Sequence, residues 1–195
     1  MTPDPNSPGL RLDAGSLKVL AHPLRSRLLS ALRRDGPATA TGLAKALGTN
    51  SGATSYHLRR LESVGLVADT GEGEGKRRLW RAATESHGWK ASDFVGDEDS
   101  ETALNWLVRD YSSHLAQQFG RWLDVEAEWP VAWRDATGMS DVFMLVTPEQ
   151  AEAFTADLER LIERYRQVGQ GRPDAQRLAL YTALFPMDLD RAPGR

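Results

Sequence analysis

Two short stretches of the sequence concentrate side chains that can donate hydrogen bonds to a polyanion. The first is GATSYHLRRLE (residues 52–62), which holds a tyrosine and two adjacent arginines. The second is KRR (residues 76–78), which follows the glycine-rich run GEGEG. Arginine bonds phosphate oxygens or a guanine edge through two parallel N–H groups, and hydroxyl groups can bond either. Together the two stretches indicate contacts to a nucleic acid.

The spacing of the apolar residues in the first stretch predicts an amphipathic helix with a groove-binding face. At 100° per residue, one side collects the residues expected to pack inward, namely Thr54, Leu58, Leu61 and Gly65. The opposite side is small at its N-terminal end and basic further on, and it presents Gly52, Ala53, Tyr56, Arg59, Arg60 and Ser63, with Ser55 on the flank. Small residues let a helix N-terminus approach a groove closely, where its amides favour phosphate. The face is therefore predicted to lie in a major groove, and an ordinary solvated helix is the alternative.

The preceding segment predicts three more short helices. GSLKVLAHPLRSRLLSALRRDG is broken at His22-Pro23, because a residue before proline avoids the α region. TATGLAKALG follows, with Thr39 or Thr41 as its N-cap and Gly48 as its end. Asn50 or Ser51 is then expected to cap the groove-binding helix. Two short helices separated by a glycine-containing turn are typical of a helix-turn-helix.

A β-hairpin is predicted directly after this helix pair. Residues 66–70 and 77–82 are strand-like, and GEGEGK between them suits a hairpin tip. Its basic flank of Lys76, Arg77 and Arg78 is expected to contact the DNA backbone and add sequence-independent affinity. Glu72 and Glu74 at the tip argue against deep insertion into the minor groove.

Residues 16–83 resemble the winged helix of the ArsR-type bacterial transcription regulators. LKVLAHPLRSRLLSALRRDGPATATGLAKALG is similar to that family's opening, with its His-Pro-Leu-Arg break. SGATSYHLRRLESVGLV is similar to its recognition helix, with the match at Ser55, Tyr56, His57, Leu58, Leu61, Gly65, Leu66 and Val67. The resemblance covers about a third of the chain and implies a dimeric regulator that binds an inverted repeat in double-stranded DNA.

The sequence departs from the metal-sensing members of that family. It has no cysteine, so the helix before the turn offers no thiolate ligand, and no disulfide can form. Asp110 and His114 on the long C-terminal helix match part of another family site, but a second histidine pair is missing. We therefore expect no metal site and no cofactor. His57, on the flank of its helix, is interpreted as a packed residue rather than a reader of bases.

Charge and composition divide the chain into a basic and an acidic part. Residues 16–83 hold 12 Lys and Arg against five Asp and Glu, whereas residues 84–195 hold 11 against 20. The N-terminal start resembles no signal peptide and no apolar run is long enough to span a membrane, which predicts a cytoplasmic protein without membrane contact. No nucleophile–base pair or phosphate loop is present, so catalysis is not expected.

The expected architecture is mostly α with a small β content. It comprises a flexible tail (1–15), a winged helix-turn-helix DNA-binding domain (16–83), a linker (84–100) and a C-terminal dimerisation module (101–195). This module is predicted as helix–strand–helix–strand, with a long helix over 101–128 and strands near 141–146 and 177–188. Its aromatic residues form either a pocket for a small apolar effector or a dimer core, the residues in question being Trp106, Tyr111, Trp122, Trp129 and Trp133.

The sequence thus predicts a transcription regulator that binds a palindromic operator as a homodimer. The alternative is a winged helix that binds a protein partner and no DNA. The predicted DNA contacts come from the helix before the turn, the recognition helix and the hairpin, and they are Thr39, Thr41, Ser51, Gly52, Ala53, Ser55, Tyr56, Arg59, Arg60, Lys76, Arg77 and Arg78.

Overall fold

The structure is a computed structural model that describes residues 10–73, 75 and 77–190. The chain divides into two units, the first ending at Gly120 and the second beginning at Arg121. The flexible tail predicted for residues 1–15 is wrong at its C-terminal end, where β1 (Leu10–Arg11) and the start of a helix are formed and Leu12 is fully buried. Residues 1–9 lie outside the described residues.

The first unit begins with two helices that meet at a proline. Helix α1 (Ala14–Leu20) starts with a capping box between Asp13 and Ser16. Helix α2 (Pro23–Asp35) has Pro23 as its first residue, and the Nδ1 atom of His22 accepts the Leu24 N–H as the N-cap bond. The break predicted at His22-Pro23 is therefore confirmed, since proline suits a first helical position but not a helix interior.

Two further helices complete the helix-turn-helix. Thr39 caps α3 (Ala40–Leu47), and Gly48 ends it in the left-handed conformation. Asn50 caps α4 (Ser51–Glu62), which packs against α1, α2 and α3. Of the alternative caps left open by the sequence, the structure thus uses Thr39 and Asn50.

The strands of the first unit form two small sheets. The strands β2 (Ala38–Thr39), β3 (Val67–Asp69) and β4 (Leu79–Ala82) form an antiparallel sheet in the order β2-β4-β3. The hairpin β3–β4 is the predicted wing, which is thereby confirmed. Strand β1 pairs in parallel with β5 (His87–Gly88), a pairing that the sequence pattern did not indicate.

Residues 84–100, predicted as a linker, are instead part of the first unit. They include β5 and a 3-10 helix (Ala91–Phe94), and the Phe94 side chain is buried in the core. Arg11 forms a bidentate ion pair with Asp93, and Lys18 lies 3.0 Å from Asp97. Side-chain bonds from Ser100 and Lys18 lower the pKa of Asp97 to about 2. Polar residues that read as a solvated linker therefore tie this segment to β1 and α1.

Helix α5 (Glu98–Val125) joins the core of the winged helix through its first half. Leu107 is fully buried in the cluster formed by α1, α2 and α4, and Ala103, Leu104 and Trp106 pack around it. Ser26 on α2 donates a 2.7 Å hydrogen bond to Asp110 on α5. The long helix, predicted as part of the C-terminal dimerisation module, thus packs its first half against its own winged helix.

A buried polar contact joins α2, β5 and α5. The Arg33 guanidinium lies 2.6 Å from His87 Nδ1, and the Tyr111 hydroxyl lies 2.6 Å from His87 Nε2. Because arginine can only donate, Nδ1 must accept, which leaves the imidazole proton on Nε2 facing Tyr111. Burial lowers the pKa of His87 to about 3, with Arg33 acting in the same direction, and burial raises the pKa of Tyr111. His87 is therefore held neutral in a single tautomer.

The second unit is helical and open. It contains the end of α5, α6 (Val131–Ala136) and α7 (Pro148–Tyr165), which begins with a capping box between Thr147 and Gln150. The strands predicted near 141–146 and 177–188 are not formed, since neither segment pairs with a neighbouring strand. The chain is nevertheless mostly α with a small β content, as predicted.

The second unit buries none of its side chains. Within residues 121–190, all of which the structure describes, every residue is either exposed or half-buried. Large apolar side chains are exposed along both segments predicted as strands, among them Val142, Phe143, Leu145, Leu178, Leu180 and Phe185. Within the described residues, no helix is both long and apolar enough to cross a lipid bilayer.

Candidate nucleic-acid interface

Helix α4 has a fixed rotation, because its inner side is fully buried. Thr54, Leu58 and Leu61 are each 0% exposed. The Thr54 hydroxyl also donates to the carbonyl oxygen of Asn50, and Asn50 Oδ1 accepts the N–H of Ala53. These contacts confirm Thr54, Leu58 and Leu61 as inner positions and determine which residues face away from the core. Gly65, also predicted to pack inward, is exposed, because α4 ends at Glu62 before reaching it.

The outward face of α4 has the predicted mixture of small, aromatic and basic residues. Tyr56 is 58% exposed, although a side chain of this size usually buries more of its surface. The neighbouring positions on this face are either exposed (Ser51, Gly52, Arg59, Arg60 and Ser63) or half-buried (Ala53 and Ser55). The structure thus brings all the predicted α4 residues to one accessible surface, which we call the α4 face.

The two predicted threonines of the preceding helix differ in their surroundings. The Thr39 hydroxyl oxygen is occupied, since it accepts the N–H of Gly42 at 3.1 Å. Thr41 is exposed in the first turn of α3. Thr41 is therefore the more available of the two for an external contact.

The arginines of the wing are not equivalent. Arg78 lies 3.5 Å from Glu62 on α4 and 3.4 Å from Asp69 on β3, and its guanidinium covers the Trp80 ring. Arg77 is exposed and makes no ion pair among the described residues. Lys76, the third predicted wing contact, lies outside the described residues. Arg77 is therefore the described wing residue best placed for a phosphate, whereas Arg78 anchors the wing to α4.

Gly73 allows the wing to turn. A Cβ atom at this position would lie 1.9 Å from the carbonyl oxygen of Arg77, well inside the van der Waals limit. Any other residue at position 73 would displace the backbone that positions Arg77. The glycine-rich run in the sequence thus has one position where glycine is required by close approach.

His57 packs behind the α4 face. Its ring lies 4.5 Å from that of His22 on α2, and its Nδ1 atom is buried. Burial lowers the pKa of both imidazoles, and the charge of Arg25 lowers both further. This arrangement agrees with the interpretation of His57 as a packed residue.

Arg25 is a candidate that sequence analysis missed. It is half-buried on α2, where burial lowers its pKa and the charge of Arg60 on α4 lowers it further. One signal was present: Arg25 follows His22 by three residues, which places both on the same face of α2. Which face of α2 meets α4 was not evident from the sequence.

The five aromatic residues predicted as one cluster separate into two groups. Trp106 and Tyr111 pack against the core of the first unit. In the second unit, Trp129 makes edge-to-face contacts with Trp122 at 5.5 Å and with Trp133 at 6.4 Å. Two of the five residues thus belong to the first unit and three to the second.

Asp110, the carboxylate of the partial family metal motif, is engaged in a structural contact. It accepts the hydrogen bond from Ser26 described above. Across the described ranges, no group of three or more His, Cys, Asp or Glu side chains is close enough to hold a metal ion.

Comparison with known proteins supports the helix-turn-helix assignment. Residues 20–70 match the family model of a helix-turn-helix domain. The chain is 44% identical over 54 residues to the HTH-type transcriptional regulator NmtR of Mycobacterium tuberculosis. This match covers 28% of the chain and spans less than half of that relative, 44% of its length. Together these matches confirm that the chain resembles the ArsR-type winged helix-turn-helix regulators.

Proposed function

We propose that the chain is a DNA-binding transcription regulator that acts as a homodimer on a palindromic operator. The observation that carries this proposal is the α4 face, where Tyr56, Arg59 and Arg60 are exposed on a helix whose rotation is fixed by its buried side. The matched relative, a transcriptional regulator by name, supports the same activity.

The α4 face is suited to the major groove. Its N-terminal end is narrow, so the helix can enter deeply, and Tyr56 and Ser55 are positioned to meet base edges. Arg77 on the wing would then lie over the flanking backbone and contribute affinity without sequence preference. Arg78 contributes through its ion pair with Glu62, which orients the wing relative to α4.

Dimerisation is assigned to the second unit, because its apolar surface requires a cover. Apolar side chains are exposed in residues 142–146 and 178–189, and α7 exposes Phe154, Leu161 and Tyr165. Soluble monomers rarely expose continuous apolar patches on this scale. A second copy of the chain supplies an identical surface, and closed twofold pairing is the commonest solution among soluble oligomers.

Trp122, Trp129 and Trp133 cluster in the same unit, with Trp129 exposed and the other two half-buried. Aromatic side chains are enriched at interfaces, so we place them against the second copy. The other interpretation, a pocket for a small apolar effector, requires that a ligand alter their fluorescence without changing the oligomeric state.

The proposal is tested by selecting bound duplexes from a random pool with the full-length protein. Two recognition helices related by a twofold axis require half-sites about 10 base pairs apart, or a multiple of that distance. We expect a palindromic consensus, and affinity for it that falls steeply with salt. Equal dissociation constants for the selected palindrome and a scrambled duplex would contradict sequence-specific binding and favour a winged helix that binds a protein partner.

A further inference from the structure

The contact between α2 and α4 brings two arginines together beside the α4 face. His22, at the start of α2, stacks on His57 of α4 with ring centroids 4.5 Å apart. Arg25 follows His22 by three residues and Arg60 follows His57 by three, so each lies about one helical turn from the ring contact. Burial lowers the pKa of Arg25, and the positive charge of Arg60 lowers it further.

Neither arginine is neutralised by the protein itself. The Arg25 Nε atom is buried and has no hydrogen-bond partner. Within the described residues, no side chain forms an ion pair with Arg25 or Arg60, and the nearby carboxylate of Glu62 is engaged by Arg78. A buried donor without an acceptor costs free energy, and so does a pair of like charges. The arrangement therefore lacks an anion.

The remaining polar groups around Arg25 cannot supply a negative charge. Both imidazoles have lowered pKa values and are neutral at pH 7, and they carry no negative charge in any form. The two helices thus provide hydrogen-bond donors at this site but no negatively charged acceptor.

We propose that Arg25 and Arg60 bind one phosphodiester group of the DNA backbone. This site rests on the proposed function and adds to it a phosphate contact made jointly by α2 and α4. A phosphodiester accepts several charge-assisted hydrogen bonds at once, which converts the repulsion between the arginines into attraction for a shared anion. Backbone contacts of this kind fix the register of a recognition helix on the duplex.

The test compares the full-length wild type with Arg25→Gln on the selected palindrome and on a scrambled duplex over a range of salt concentrations. We expect Arg25→Gln to weaken binding to both duplexes equally, by about tenfold. The slope of log affinity against log salt should decrease by about 0.9 per protomer, because one phosphate contact is lost. Arg34→Gln is the matched control, since Arg34 is an exposed arginine at the other end of the same helix, paired with Asp35; it should bind within twofold of wild type.

Two measurements keep this test independent of folding. Circular dichroism melting shows whether Arg25→Gln is folded at the assay temperature, and Arg25→Lys keeps the charge without the planar donor fork. We expect Arg25→Lys to regain most of the salt slope but only part of the affinity. If Arg25→Gln does not fold, the same slope and affinity are read from Arg25→Lys against wild type, and an unchanged affinity would overturn the proposal.

Replacing single phosphates of the operator by neutral methylphosphonate locates the contact. We expect one position in each half-site where the replacement weakens wild type about tenfold and weakens Arg25→Gln clearly less, because only Arg60 still contacts that phosphate in the variant. If the affinity losses from methylphosphonate and from Arg25→Gln simply add at every position, the Arg25 site is overturned while specific DNA binding stands. Inorganic phosphate at constant ionic strength is the second probe. If it competes with DNA only when Arg25 is present, and no phosphate of the DNA is coupled to Arg25, then the site binds a free anion and the backbone contact is overturned. Failure of wild type to prefer the palindrome would overturn the proposed function itself.

Discussion

At the scale of single residues, His87 links the stability of the first unit to pH. The groups that face it are Arg33 from α2 and Tyr111 from α5, with Asp110 beside Tyr111. The imidazole must stay neutral to accept from Arg33, and its pKa is lowered to about 3 by burial and by that arginine. In the unfolded chain the same imidazole titrates near its ordinary value of about 6.5.

The first prediction follows from this difference in pKa. The unfolded state binds an extra proton between pH 6.5 and about 3, so the free energy of unfolding falls as the pH is lowered through this range. His87 alone is expected to remove about 2 kcal/mol between pH 7 and pH 5. Urea denaturation at several pH values measures this loss.

His87→Gln provides the comparison for that prediction. Its amide can still accept from Arg33 and donate to Tyr111, but it does not titrate. The pH dependence of unfolding should decrease by the amount assigned to His87, and the remainder includes His22, His57 and Asp97, whose pKa values are also lowered. A variant with the full wild-type pH dependence would show that His87 is not the group responsible.

At the scale of elements, α4 and the wing are expected to have different roles. Helix α4 is held by its buried side chains and by Glu62, whereas the wing reaches outward on a short hairpin anchored by Arg78. Residues on a groove-entering helix read bases, and residues on a flanking hairpin contact phosphates.

The corresponding prediction compares Tyr56→Phe and Ser55→Ala with Arg77→Ala. The two α4 variants should lose affinity for the selected palindrome by roughly ten- to a hundredfold and relax the sequence preference, because each removes a group placed to read bases. Arg77→Ala should weaken all duplexes alike and lower the salt slope. Binding curves on a panel of point-mutated operators separate these outcomes.

Arg78→Ala is the control for the wing. Since Arg78 is paired with Glu62 and Asp69, its removal should affect binding by releasing the wing and should change the salt slope less than Arg77→Ala does. An altered sequence preference in Arg77→Ala, combined with an unaltered one in the α4 variants, would mean that the wing and not α4 enters the major groove.

At the scale of the whole molecule, the two units differ in how much apolar surface they bury. The first unit has its own buried core, and this core includes Phe94 and Leu107 from beyond the wing. The second unit exposes its apolar residues along almost its whole length. We infer that the first unit folds by itself and that the second is completed by a second copy.

Truncation tests this division of roles. A chain ending at Gly120 should fold and sediment as a monomer. It should bind its operator far more weakly, because the two winged helices that bind the half-sites are no longer linked to each other. A chain ending at Ala83 should fail to fold cooperatively, since it lacks Phe94, Leu107 and the His87–Tyr111 contact. Sedimentation and circular dichroism of both chains and the full-length protein give the answer; a dimeric 1–120 chain or a monomeric full-length chain would refute the assignment of dimerisation to the second unit.

The sequence by itself determined the elements whose signals are local. The His22-Pro23 break, the location of each helix cap to within two residues and most of the inner side of α4 depend on residues within a turn or two of one another. Proline, capping side chains and 3.6-residue periodicity act over that range, so they are visible without a tertiary structure. The match to a helix-turn-helix domain, over residues 20–70, covers these same elements.

Only the tertiary structure decided the contacts between residues distant in sequence. The pairing of β1 with β5, the burial of Phe94 and Leu107, and the neutral His87 depend on segments about 75 or more residues apart or on three elements at once. The apolar segments at 141–146 and 177–188 read as strands, but a strand exists only where a partner satisfies its backbone groups, and this single chain provides none there. The same reason explains Arg25: its sequence neighbours place it on a helix, but only the packing of α2 on α4 brings it beside Arg60.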